Sequence, residues 1–168
     1  MMKRRNRQKG LSIIEFTVVV TGFLIVIFSF IELGLYLYSM QTLNDVSRKA
    51  ARLGAVCYPS ADISTMVTEG KPLGITSEHI QVDYLNLNSG VEFSNPKANP
   101  TNDEIGSVAY VRATVVGFSF RMTGILSFLG LGNNGVLAMP GLETVLPAES
   151  LGLPHDYDPD NPSYDTCQ

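Results

Sequence analysis

The residues with chemistry to offer are few, and they sit at the two ends of the chain. In HDYDPDNPSYD, residues 155–165, Asp156, Asp158 and Asp160 alternate as the oxygen ligands of a calcium loop do. The rest of that pattern fails. Asn161 stands where the turn glycine belongs, Pro162 stiffens the next position, and Cys167 occupies the slot of the bidentate glutamate. The three aspartates are therefore a calcium candidate set against the default of a solvated acidic tail. His79 and His155 have no HExxH, GxSxG or phosphate-cradling glycine loop around them. No nucleophile, base and orienting group form a set, so the chain does not read as an enzyme, and no cofactor is expected. Cys57 and Cys167 lack the CxxC spacing of a zinc or redox site. They read either as one structural disulfide or as two thiols. In an oxidising compartment a bridge would pin the tail to the end of the helix described below.

The remaining candidate is Glu15, in the stretch KGLSIIEF at residues 9–16. The net charge of the chain is -4, yet Lys3, Arg4, Arg5, Arg7 and Lys9 crowd the first ten residues without an acid among them. A basic arm can bind nucleic acid through counterion release. Here it abuts a long apolar run, which favours a membrane segment oriented by the positive-inside rule. From Leu11 to Tyr38 the chain is almost continuously apolar, and no position between Glu15 and Glu32 is charged. A helix from Leu11 to Ile31 would span about 30 Å, the hydrocarbon thickness of a bilayer. A cleaved secretory signal would need a shorter core and a small-residue cleavage site, and none stands at the end of this run. Glu15 lies in the first turns of the segment, where an interfacial carboxylate is tolerable. Glu32, about 25 Å further along such a helix, reads as a second interfacial carboxylate, with a role in helix contacts as the alternative.

The elements that position these groups follow from periodicity. Beyond Ser39, Met40, Leu43, Val46, Ala50 and Leu53 recur at three- and four-residue steps, opposite Gln41, Asn44, Asp45, Arg48, Lys49 and Arg52. The helix is expected to continue to Leu53 and to stop at Gly54, with Asp45 and Lys49 as an i,i+4 pair. A short helical turn is read over 62–69. A half-buried strand is read over 79–87, an exposed loop over 94–104 and the best strand over 107–118. After an apolar connection from Met122 to Leu131 and the turn Gly132-Asn133-Asn134-Gly135, a last strand is read over 136–146, with Pro140 as an edge or bulge position. The fold class is α+β: a long N-terminal transmembrane and amphipathic helix followed by a small antiparallel β-sheet domain. The expected segments are a basic leader at 1–10 and a helix at 11–54, divided into a transmembrane half 11–38 and an amphipathic half 39–54. An α+β domain at 55–150 and an acidic tail at 151–168 follow.

KG followed by LSIIEF resembles the processing site of type IV prepilins, where a basic leader ends in glycine and a glutamate is fifth in the mature chain. The Glu15-Phe16 pair is similar to the glutamate-tyrosine of Flp pilins, with phenylalanine in place of tyrosine. The length beyond the helix, with SRKAARLGA at 47–55, resembles TadE/TadF-like minor pilins, or pseudopilins, of tight-adherence systems. The resemblance implies cleavage between Gly10 and Leu11 by a prepilin peptidase. The new α-amine of Leu11, with an intrinsic pKa of about 8, would be largely cationic, and Glu15 would pair with the amine of a neighbouring subunit. It further implies a pilin-like fold, inner-membrane residence with a cytoplasmic N-terminus, and a part in Flp pilus assembly. The implied partners are the peptidase, other pilin or pseudopilin subunits, the inner-membrane assembly platform and membrane lipid, with no nucleic acid. The alternative is a signal-anchored extracytoplasmic ligand-binding domain, neither processed nor assembled.

Overall fold

The computed structural model describes residues 9–72, 74–88, 90–122, 127, 135–153 and 167. Its first element, α1, is a single helix of 48 residues, Lys9–Val56. Residues 12–31 contribute no buried side chain, and an eighteen-residue window of the helix has a mean hydropathy of 2.5 with 6% of it buried. A surface of that kind is stable as a helix because every backbone N–H and C=O is satisfied inside the segment. From Ser39 onward the helix acquires a buried stripe, Ser39, Leu43, Val46, Ser47, Ala50 and Ala51, at the spacing of one helical face.

The chain divides into two compact units. One contains residues 1–38 with Phe120–Leu137, and the other contains Ser39–Ser119 with Ala138–Gln168. The second unit is built on a four-stranded antiparallel sheet made of β1 (Ile80–Asn86), β2 (Val91–Ser94), β3 (Val108–Val115) and β6 (Glu143–Pro147), in the order β2-β1-β3-β6. Register pairs Ile80 with Val115, Val82 with Ala113 and Tyr84 with Val111. One sheet face is therefore a continuous buried layer of these six side chains, which shares a core with Leu43, Val46 and Ala50 of α1. This is the antiparallel sheet on the amphipathic half of the helix that periodicity led us to expect.

Several local expectations are corrected. Gly54 does not end α1. It lies inside the helix, where a Cβ would stand 2.7 Å from Val111 Cγ1 and 3.2 Å from Val82 Cγ1. Its missing side chain lets the helix approach the sheet. The end of α1 is closed instead from the far end of the chain, where Glu149 and Leu151 donate their N–H groups to the Ala55 carbonyl and Gly152 donates to that of Val56. Helix-terminal carbonyls have no intrahelical donor, so these bonds answer a real need. Gly152 has φ +73°, and a Cβ there would overlap the Tyr58 backbone.

The loop read over 94–104 contains the end of β2 and the start of α3 (Asn102–Ser107). Thr101 accepts from the Glu104 N–H while Glu104 accepts from the Thr101 N–H, a capping box that nucleates this short helix. The final strand is two strands, β5 (Val136–Ala138) and β6, separated around Pro140, which cannot donate to a ladder. The strand read over 107–118 is β3; beyond it a separate short strand not read from sequence, β4 (Ser119–Arg121), pairs with β5. The turn read over 62–69 is α2 (Ile63–Thr68), capped by Asp62. Asn95 fixes α2 to the sheet edge by donating to the Pro59 and Ala61 carbonyls, both at 2.8 Å, and accepting from the Ile63 N–H.

In the other unit, the Tyr36 ring meets Phe120 edge-on at 5.7 Å, and the Met122 N–H donates to the Gly135 carbonyl. The apolar connection and turn, residues 122–135, fall largely outside the described residues.

The close approach at Gly54 gives a direct test. Gly54→Val is expected to lower the unfolding free energy of the detergent-solubilised chain by about 1 to 3 kcal/mol through overpacking against Val111 and Val82. Chemical denaturation followed by circular dichroism measures it, and unchanged stability would contradict the packing described.

Candidate functional site: charged groups along the helix and sheet

Gly10 and Leu11 occupy the first turn of α1, since the helix starts at Lys9. Glu15 and Phe16 follow one turn later, both exposed, with Phe16 at 69%. Among the described residues Glu15 has no ion pair or hydrogen bond, and the positions around it are Ile13, Ile14, Val18 and Val19, all exposed. The structure thus presents one carboxylate on a bare apolar helical surface. Gly22 and Gly34 have open space where a Cβ would stand.

Glu32 behaves differently. It is buried to 6% exposure, and neither carboxylate oxygen has a hydrogen-bond partner among the described residues. It is one turn before Tyr36 on the face that meets Phe120. Ser29, on the same face, donates its hydroxyl to the Ile25 carbonyl. The sequence places Glu32 near the end of the apolar run but does not show that it is buried; Phe120, which meets Tyr36 one turn further along, lies far away in sequence.

Further out, the helix carries Asp45, Arg48, Lys49 and Arg52. Asp45 is shared by Lys49 at 2.9 Å and Lys71 at 3.7 Å. Both Asp45 and Lys49 are exposed, so the pair contributes little to stability.

The most developed polar cluster was not foreseen from sequence. Asp83, 2% exposed, lies on the sheet face opposite the core. It accepts from Ser94 Oγ at 2.6 Å, from Gln81 Nε2 at 3.1 Å and from the Arg112 guanidinium at 2.9 Å. Register makes Asp83 the direct cross-strand neighbour of both Ser94 and Arg112. Strand alternation with Val82 and Tyr84 puts Asp83 on the face opposite the core, and only the pairing of three strands shows that its neighbours enclose it. Burial by itself raises the carboxyl, but the bonds from Ser94, Gln81 and Arg112, with the arginine charge, together hold it below its ordinary value. Glu104 is lowered to about 2, chiefly by its hydrogen bond from Lys97 and next by the Thr101 N–H.

Cys57 and Cys167 are joined by a disulfide with a Cα–Cα distance of 5.6 Å. Asp156, Asp158, Asp160 and His155 lie outside the described residues. His79 accepts from the Thr76 N–H through Nδ1 at 3.1 Å and packs edge-on against Phe118 at 5.2 Å.

One helix apolar enough to cross a membrane, running into an α+β unit with an antiparallel sheet, is compatible with a single-pass membrane anchor. Residues 10–52 match the family model described as TadE-like protein, which is consistent with a TadE-like protein of Tad/Flp pilus systems, a structural rather than enzymatic class. No curated protein and no solved structure matches the chain.

The carboxylates of the second unit set an acid limit on stability. Because the native Asp83 and Glu104 refuse protons that the unfolded chain accepts, their contribution is complete above about pH 5. It is lost as pH falls through the ordinary carboxylate range near 4 and on toward about 2. Asp83→Asn is expected to flatten that acid slope and, by depriving Arg112 of its partner, to cost about 2 to 3 kcal/mol at neutral pH. Denaturant midpoints measured at pH 3, 5 and 7 test both effects.

Proposed function

We propose that the chain is a minor pilin or pseudopilin, processed between Gly10 and Leu11 and assembled into, or supporting assembly of, a Flp-type pilus. The single observation that carries this reading is Glu15, an exposed carboxylate five positions after Gly10, without a partner among the described residues and followed by no other charge before Glu32 on the apolar helix half. The family-model match over 10–52 supports it, since it spans the Gly10 junction, Glu15 and the whole length that joins the apolar half to the sheet.

In this reading the basic block at residues 1–10 stays cytoplasmic, and the unit that begins at Ser39 faces the periplasm, an oxidising compartment that suits the Cys57–Cys167 bond. The helix half from Leu11 to Tyr38 anchors the free subunit in lipid. On assembly it exchanges lipid contacts for contacts with other pilin or pseudopilin helices. Cleavage creates the α-amine of Leu11, a monovalent cation at the depth of the first helical turn. Glu15, one turn further on, is the acceptor for the amine of the adjoining subunit. A carboxylate in hydrocarbon is costly alone and tolerable when paired, so the pair favours one axial register over its neighbours. The prepilin peptidase and the inner-membrane assembly platform are the further partners. The chain itself performs no covalent step.

Mass spectrometry of the membrane-extracted protein, from cells with and without the peptidase, tests the reading. A mature terminus at Leu11 is expected only with the peptidase, and an intact leader in both strains would refute it. Glu15→Gln is expected to be cleaved normally while reducing pilus incorporation by about tenfold or more, since it removes one partner of a desolvated pair.

A further inference from the structure

In the order β2-β1-β3-β6, β6 is an edge strand with a neighbour on one side only. The Val115 N–H donates to the Leu142 carbonyl and the Ala148 N–H to that of Ala109, while register pairs Ala113 with Thr144 and Val111 with Leu146. Backbone groups alternate in direction along a strand, so residues 142, 144, 146 and 148 bond to β3. The N–H and C=O groups of Glu143 and Val145, with the Pro147 carbonyl, point away from it. These outward groups have no hydrogen-bond partner among the described residues, and the Val145 side chain is 47% exposed. Beside this edge runs one flank of α1, where Ser47 Oγ lies 2.9 Å from Thr144 Oγ1 and 3.2 Å from the Ala113 carbonyl. A groove of about 390 Å³ opens between the two, lined by Asp45, Arg48, Lys49 and Arg52 of the helix and by Thr144 and Leu146 of the strand. Asp45 is held by Lys49 and Lys71, whereas Arg48 and Arg52 are exposed and have no ion pair among the described residues. An open strand edge and two uncommitted guanidinium groups thus border one cleft.

We propose that this cleft takes an extended segment of another protein, which adds a strand to β6 and sets carboxylates at every second position against Arg48 and Arg52. In strand addition the main-chain bonds supply affinity and the alternate side chains supply specificity. Partner residues opposite Glu143 and Val145 exchange backbone bonds with them and turn their side chains to the outer face of the sheet. Those opposite Thr144 and Leu146 turn toward the helix. Alternate side chains on a strand are about 6.7 Å apart, and Arg48 and Arg52 are separated by about 6 Å along the helix axis, so the two spacings match. The planar fork of arginine holds a carboxylate through two parallel bonds. The edge is unsuited to a second copy of itself. Two β6 strands joined antiparallel at Val145 would bring both sets of arginines to the same face, like charge beside like. Glu143 would then oppose Pro147, which has no N–H to return. A charge and a proline are ordinary guards of an edge against self-pairing. Neither obstructs a partner whose acids lie on the face opposite the Glu143 side chain.

The inference goes beyond the pilus reading and stands whether or not the leader is removed. The probe is a short fluorescein-labelled peptide of alternating glutamate and threonine, titrated against the full-length chain in neutral detergent. Fluorescence anisotropy reads binding, and amide hydrogen exchange reads the edge. The peptide is expected to bind and to slow exchange at Glu143 and Val145. A peptide of the same composition with its glutamates in one block is expected to bind about tenfold more weakly, as is the alternating peptide to the Arg48→Glu/Arg52→Glu chain. An alternating lysine and threonine peptide is expected to bind that charge-reversed chain instead. Val145→Pro removes an N–H from the open edge and none from the ladder to β3, so it is expected to weaken binding by about tenfold. Should that chain lose its circular dichroism signal, exchange at the wild-type edge decides alone. The proposal is overturned by an alternating peptide that does not bind, by a block peptide that binds as well, by a folded Val145→Pro chain that binds like wild type, or by binding without slower exchange at the edge. Slower exchange produced by raising the protein concentration alone, or by phosphatidylglycerol vesicles, would assign the cleft to a second copy or to lipid and overturn it equally.

Discussion

One helix here carries two kinds of surface, an apolar one and an amphipathic one, and that constraint organises the rest. The backbone of α1 is continuous from Lys9 to Val56, so the change from an apolar surface to an amphipathic one is made entirely by side chains. Its first half is apolar on every exposed side, a surface compatible with a membrane anchor, and a helix satisfies its backbone hydrogen bonds within itself in such a setting. In its second half the same geometry would be marginal without packing, and the stripe Leu43, Val46, Ala50 supplies it against the sheet. The sheet in turn depends on that stripe, since a face built from Val82, Tyr84, Val111 and Ala113 has nowhere else to be buried.

Much of this is visible in the residues themselves, and what is not has identifiable causes. The helix and the two long central strands are strongly periodic, and period alone separates 3.6 from 2. Gly54 misleads because a glycine after an apolar stripe has the same appearance whether it ends a helix or admits a neighbour. Only Val111 and Val82, far away in sequence, decide between them. The capping box at Thr101 and Glu104 is a legible signature, but it is masked by Asn99-Pro100 just before it. Pro140 marks an interruption without telling whether it bends one strand or separates two.

Charge tells a similar story. Types and positions of Glu15, Glu32 and Arg48 are plain in the sequence, yet burial is a property of the fold. Glu15 stays exposed whereas Glu32 is covered, and Asp83, on the sheet face opposite the core, is enclosed by Gln81 of its own strand and by Ser94 and Arg112 of the two neighbouring strands. Pairings of this kind depend on register, and register is set by whole strands rather than by the residues that benefit.

The bond between Cys57 and Cys167 makes a covalent ring out of the chain from just after the helix onward, its two ends 110 positions apart. The ring opens and closes at the foot of α1, so every loop within it is fastened to that helix from both directions. A protease that cuts any one of those loops would leave a nicked domain still attached to its helix. Shedding it into the surroundings would take a second cut or a reductant.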